Sequence, residues 1–202
     1  MDRRNLMTGG LALFALAGCS GRWKVDYAEG LDPEVTRTWN LANVVASVPA
    51  SLTVSNSNTY APNADIVWHG EPFGDRRAQV AAIMDEGITR GAAGLRGARP
   101  VTITARVIQF HAVTPAAVAR APAAVHNIEY AAQVLDAETG EALTTEQVIS
   151  ADLEAYVGAA AVAAAINEQT QKRRIIDHID LVTRGWLGFG QDQRRSFSSI
   201  GR

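Results

Sequence analysis

The chain has 202 residues, 47% of them hydrophobic and 20% charged, with a formal net charge of −2. That is an ordinary globular composition, long enough for one domain to bury its own core. With Cys 1 it excludes a disulfide-stapled scaffold, and the near-neutral balance excludes a surface that gathers nucleic acid or anionic lipid by net charge.

Residues 1–18 read as an export signal. Asp2-Arg3-Arg4-Asn5 is a charged head, residues 6–17 are apolar apart from Thr8 and Gly9-Gly10, and small residues lead to Cys19. The apolar run, about twelve residues, makes roughly 18 Å of helix, too short for a hydrocarbon core of roughly 30 Å. Leu16-Ala17-Gly18-Cys19 resembles the lipobox of bacterial lipoproteins, in which the cysteine is acylated and becomes the first residue of the mature chain. The resemblance implies palmitate-type acylation of Cys19. Several acyl chains hold a protein stably on a bilayer where one does not, at about 0.8 kcal/mol per buried CH₂. The lone thiol agrees, because an unpaired cysteine is unusual in an oxidising compartment unless it is modified. The other reading is an ordinary cleaved signal with an incidental cysteine. Among such lipoproteins Asp after the cysteine tends to mark the inner membrane. Ser20 therefore implies the periplasmic face of the outer membrane, with the inner membrane as the alternative. Arg3-Arg4-Asn5-Leu6-Met7 also resembles a twin-arginine signal without its preceding Ser or Thr, which leaves the export route open.

Residues 19–38 are polar, with isolated Trp23 and Tyr27, and read as a flexible tether reaching roughly 60 Å when extended. A single domain is expected over residues 39–187. Residues 39–49 alternate, with Ala42, Val44, Ala46 and Val48 on one face, as in a half-buried strand that Pro49 stops. Leu52 and Val54 repeat the pattern, residues 55–64 are a loop by composition, and Ile66-Val67-Trp68 is a short apolar run. Asp75 is a good helix N-cap. From it Val80, Ile83, Met84, Gly87, Ile88, Gly91, Ala92 and Leu95 fall at three- and four-residue steps as one apolar stripe. Gly87, Gly91 and Gly94 on or beside that stripe suit a helix lying close to a sheet. Residues 101–111 and 126–134 alternate again. Asp136-Ala137-Glu138-Thr139-Gly140 is a hairpin turn, and residues 145–154 return. These three strands should form an antiparallel meander. Residues 157–187 read as one long helix, with Ile175, Ile176, Ile179, Val182 and Trp186 as its stripe, and residues 188–202 as a mobile tail. The expected fold is α+β: a mostly antiparallel sheet built from a strand, a helix, a three-strand meander and a long C-terminal helix, with the helices on one face.

The chemistry-bearing residues form no complete set. His111 ends one strand and His126 begins its hairpin partner, so with His69 or an acid they are candidate zinc ligands. No His-Glu-x-x-His spacing accompanies them, and hydrogen-bonded histidines fixing the sheet rim is the plainer reading. Asp136-x-Glu138-x-Gly140-Glu141 lacks the sixth-position Gly and twelfth-position Glu of a calcium loop. There is no Gly-x-Ser-x-Gly elbow, and Gly188-Phe189-Gly190 lacks the strand and helix of a phosphate loop. Lys172-Arg173-Arg174 reads as a solvated helix turn, with a partner-binding patch as the alternative. No catalytic residue and no cofactor is expected.

The lipobox, Asp65-Ile66-Val67-Trp68, Gly74-Asp75-Arg76-Arg77, Phe110-His111-Ala112-Val113-Thr114, Val125-His126-Asn127-Ile128 and Asp136-Ala137-Glu138-Thr139-Gly140-Glu141 together resemble an uncharacterised family of Gram-negative lipoproteins, a domain of unknown function. The chain is also weakly similar to auxiliary lipoproteins of envelope assembly, such as those of curli secretion and transport. The expectation is a non-enzymatic, lipid-anchored domain in the periplasm that binds or scaffolds an envelope partner, without nucleic acid. The alternative is a small-ligand or metal-binding lipoprotein using the rim histidines.

Overall fold

A computed structural model describes residues 22–199; the signal, the lipobox and Cys19 lie outside them. In chain order the elements are β1 (Arg22–Asp26), α1 (Pro33–Thr36), β2 (Trp39–Ser47), β3 (Val54–Ser55), β4 (Ile66–Val67), α2 (Arg76–Ala92) and β5 (Arg99–His111). They continue with α3 (Pro115–Arg120), β6 (Ala124–Asp136), β7 (Gln147–Ala151), β8 (Leu153–Ala155), α4 (Gly158–Ile166), α5 (Gln171–Trp186) and β9 (Arg195–Ser198).

The described strands form one nine-stranded sheet in the order β3-β4-β5-β6-β7-β1-β9, with β2 along the first part of β5 and β8 along the start of β6. Strands β5, β6 and β7 are antiparallel neighbours; β5 reaches β6 through α3, and the Asp136 turn leads from β6 toward β7. Asp136 Oδ1 accepts the Glu138 and Thr139 N–H groups at 3.0 Å each, and Gly140 takes φ 75°. On the other side of β5, however, β2 and β4 run parallel to it, and β3 runs parallel to β4. The sheet is therefore mixed rather than mostly antiparallel. Parallel neighbours need a long crossover, and the expected helix, α2, is that crossover between β4 and β5.

Helices α2 and α5 lie side by side on one face. Val80, Ile83, Met84 and Ile88 of α2 and Ile175, Ile179, Val182 and Trp186 of α5 share a core with Val101, Ile103, Val107, Phe110, Ile128, Tyr130 and Val134 of the sheet. The Asp75 cap forms as expected, its Oδ1 accepting the Arg77 and Ala78 N–H groups at 2.9 and 3.1 Å. The opposite sheet face is half-solvated and carries Thr104, Gln133 and the exposed Arg106–Glu146 pair at 2.8 Å, the usual division of a sheet covered on one side.

Several expectations are corrected. The register of β2 against β5 slips between Leu41 and Asn43, so Ala42 turns outward while Trp39, Leu41, Val44 and Ala46 face the core; a bulge reverses the alternation locally. Gly87 and Gly91 meet α5, not the sheet. A Cβ at Gly87 would sit 2.7 Å from Ile179 Cβ, and one at Gly91 2.5 Å from Thr183 Cβ.

The long C-terminal helix is two. Helix α4 ends where Asn167 Nδ2 donates to the Ala163 carbonyl at 2.8 Å and Glu168 takes a left-handed φ of 59°; Thr170 then caps α5 by accepting the Arg173 N–H at 3.2 Å. High helix propensity runs through this break, but a local cap on each side outweighs it.

Two termini expected to be loose are in the sheet. β1, inside the expected tether, pairs with β7 and buries Val25, and Tyr27 follows it into the core. β9, inside the expected tail, pairs with β1 from Arg22↔Ser198 to Val25↔Arg195. The Tyr27 hydroxyl donates to Asp192 Oδ1 at 2.9 Å, and burial followed by that carboxylate pushes the phenol up to about 12.

Candidate functional site

The register places one end of the sheet in a single neighbourhood. β6 begins where β5 ends, His111 lying opposite Asn127. β8 pairs there with the start of β6, and β4 ends beside His111. Helices α3 and α4 follow β5 and β8 at this end and pack on one another. Thr114 caps α3: its Oγ1 accepts the Ala117 N–H at 3.1 Å and Pro115 fills the first helical turn.

Between α3, α4 and the start of α5 lies a cleft of about 240 Å³. Val113, Pro115, Val118, Ala161, Ala164 and Tyr156 give it mainly apolar walls, and His69, Gln171 and Arg174 supply its polar groups. Arg174 is the cation of the cleft. Its guanidinium stacks 3.6 Å from the centre of the Tyr156 ring, and Nη2 donates to the Glu154 carbonyl at 2.7 Å. Among the described residues no carboxylate forms an ion pair with it. Burial lowers its proton affinity, opposed by the Tyr156 and Glu154 charges. An arginine stacked on an aromatic ring and held in a half-buried apolar wall is a cation with binding capacity to spare, and its planar fork suits a carboxylate or phosphate.

The expected basic run is not one patch. Lys172 Nζ reaches Glu71 Oε1 at 2.8 Å, Arg173 lies 3.8 Å from Asp177 and 4.0 Å from Glu168, and Arg174 enters the cleft. Three successive helical residues point roughly 100° apart, so a run in sequence is not a face in space.

The histidines behave likewise. The register sets His111 opposite Asn127, one residue from His126, so strand alternation sends His111 and His126 to opposite faces of the sheet. His126 faces the core and is fully buried, its Nδ1 accepting the Val113 N–H at 3.3 Å. His69 lines the cleft, half-buried. Among the described residues no group of three or more His, Cys, Asp or Glu side chains is placed to hold a metal ion. His178, on α5, faces the same buried region as His126.

Their protonation gives a test. Burial first, then Arg174 and His178, pushes His126 down to about 3; burial first, then Arg195, pushes His178 down to about 4. Burial and Arg76 also lower His69. All three stay neutral in the folded chain where the unfolded chain, titrating near 6.5, takes up protons. Stability is thus fully present above about pH 6.5 and is lost as pH falls toward 4, by up to about 1.4 kcal/mol per pH unit for each of the buried His126 and His178, with His69 acting in the same direction. The lowered carboxyls of Asp65, Glu71 and Asp136 act with the same sign only below their ordinary range near 4. The melting temperature should therefore fall between pH 6.5 and 4.5. His126→Phe should flatten that slope while lowering the plateau, because the Val113 N–H loses its acceptor; an unchanged slope refutes the assignment.

The basic run 172–174 flagged Arg174 as a candidate contact, but Tyr156 and α4 carry no motif that sequence reading could catch. The nearest signal is the charge-free stretch 157–166, apolar all round, which marks a helix that must be covered.

Two solved structures are similar to the chain at low identity. One, from Caulobacter crescentus and described as a lipoprotein, is 13% identical with a TM-score of 0.36 over 77% of this chain and 93% of that one. The other, a dodecameric PelC variant from Paraburkholderia phytofirmans, is 11% identical with a TM-score of 0.34 over 77% and 95%. No curated protein matches the chain. Residues 39–202 match the profile of DUF6778, described as a family of unknown function, and the chain belongs to that family.

Proposed function

We propose that the protein is a non-enzymatic, lipid-anchored binding domain of the bacterial envelope, held by Cys19 at the periplasmic face of the outer membrane. Its working surface is the cleft beneath α4. The observation that carries the reading is Arg174: a half-buried guanidinium, stacked on Tyr156 and with no ion-paired carboxylate among the described residues, at the mouth of an apolar cleft. The partner it suits is an envelope component that presents an acidic group beside an apolar one. The lipobox supports the location, and β1, described from Arg22, follows Cys19 by three residues in sequence.

A photo-crosslinking residue in place of Val118, in cells, tests it. The expected result is a membrane-associated adduct of protein size that Arg174→Ala abolishes and Arg174→Lys weakens. No adduct, or one indifferent to Arg174, refutes the cleft. A low-mass adduct favours the second reading, a small amphipathic acid as ligand; at about 240 Å³, below the usual ligand-pocket range that begins near 300 Å³, the cleft leaves room for only a small one. Cys19→Ser should release the protein from membranes; retention of that variant refutes the lipid anchor.

A further inference from the structure

Helix α4 is Gly158–Ile166, nine residues without a charge, and none of them is buried. Ala161 and Ala164 face the cleft. Val162 and Ile166, four residues apart on the outer side, are 63% and 78% exposed. A helix this short does not persist in water by propensity alone, and one that is apolar all round is normally covered.

The register says what lies nearest. β1 runs antiparallel to β7, with Val25 opposite Ala151, and the Lys24 N–H donates to Asp152 Oδ2 at 3.0 Å. Because the two strands are antiparallel, β1 begins, at Arg22 and Trp23, toward the end of the sheet where β7 runs on through β8 into α4. Cys19 precedes Arg22 by three residues, a reach of about 10 Å at most. The start of β1, three residues after Cys19 in sequence, is thus at the end of the sheet that carries the apolar helix.

We propose that the outer face of α4, Val162 and Ile166, lies in the headgroup boundary of the bilayer that holds the Cys19 lipid. The proposal deepens the lipid-anchored reading and rests on it. An apolar helical face settles about 5–10 Å into that boundary, and a second contact converts a swinging anchor into a fixed orientation. Exposed Arg120, at the end of the helix packed on α4, and Arg173, held only by long contacts, are the nearby cations for lipid phosphates; Glu168, next to Arg173, is the opposing acid. A second copy of the chain is the poorer occupant. Nine residues, six of them alanine, fall far short of the roughly 800 Å² per partner of a stable interface.

The test uses the full, acylated chain reconstituted into phosphatidylethanolamine–phosphatidylglycerol vesicles. With Cys19 acylated, Ile166→Cys supplies the single free thiol for a spin label, and Val162→Cys is the second position. Thr139→Cys, in the turn at the opposite end of the sheet, is the aqueous control. At 166 and 162, lipid-soluble oxygen should relax the label more than an aqueous nickel chelate does, with the reverse at 139. If all three positions favour the chelate while the protein floats with the vesicles, α4 does not touch lipid and the proposal fails with the anchor intact. If the unsubstituted chain takes label at Cys19 and does not float, the anchor reading itself fails and the proposal falls with it.

Discussion

Trp68→Ala is expected to destabilise the protein by about 3–5 kcal/mol, the range for removing a fully buried tryptophan. The side chain is completely buried immediately after β4. Its ring meets Phe110 edge-on, centroids 5.9 Å apart at 83°, and Gly70 is packed so closely that a Cβ there would fall 2.3 Å from the ring. The indole also works as a donor: its Nε1–H donates a hydrogen bond to Glu71 Oε2 at 2.9 Å, while Glu71 Oε1 accepts from Lys172 Nζ at 2.8 Å. Trp68 thus links the rim of the sheet, through one carboxylate, to the first turn of α5. Alanine would open a cavity and leave Glu71 with one partner fewer. Urea unfolding of the full chain should show the loss as a lower midpoint with an unchanged slope. Trp68→Phe, which keeps most of the volume and loses the N–H, should recover much of the deficit and retain about 1–3 kcal/mol of it. If alanine and phenylalanine cost the same, packing is not what Trp68 contributes.

Gly91→Val should be comparably severe, at about 3 kcal/mol, because it forces apart the closest approach of α2 and α5. A Cβ at Gly91 would lie 2.5 Å from Thr183 Cβ and 2.8 Å from the Asp180 carbonyl oxygen, and one at Gly87 would lie 2.7 Å from Ile179 Cβ. Neither obstacle is the flexible tip of a side chain. The neighbouring helix must move, and the core beneath it with Ile175, Ile179 and Val182 moves as well. Alanine at 91 gains about 1 kcal/mol of helix propensity over glycine, yet the contact still outweighs it. Gly74→Ala is the matched control, since its Cβ would meet only the end of the Gln79 side chain, at 3.3 Å; it should be near neutral. Thermal melts of the three variants decide the point, and a neutral Gly91→Val would show that the helices are further apart than described.

The two variants probe different seams, one between sheet rim and helix and one between helices. Losing either should also perturb the Arg174 cleft. Lys172, two residues from Arg174 on α5, is the anchor that Glu71 holds. The cleft is thus tied to the core beside it: Trp68 immediately precedes His69 and Gly70, which line it.

Amino-acid order alone determined the elements whose cause is local. Alternation at Val101, Ile103, Ala105 and Val107 set one buried face of β5. The Asp75 cap and the stripe from Val80 to Ala92 set α2, and the Asp136 turn set the β5-β6-β7 meander. These are short-range effects of side-chain period, capping and turn chemistry, visible to anyone counting residues. Tertiary structure decided what depends on a distant partner. It gave β2 and β4 their parallel pairing with β5, turned Ala42 outward at a bulge, aimed Gly87 and Gly91 at a helix instead of a sheet, and drew β1 and β9 together at an edge. It also separated His111 from His126 by one step of register and brought Tyr156, Arg174 and the walls of α3 and α4 to one place. Strand partners and sheet edges are selected by burial summed over the whole core. Residues more than a hundred positions apart enter that sum on equal terms, so no local pattern records its result.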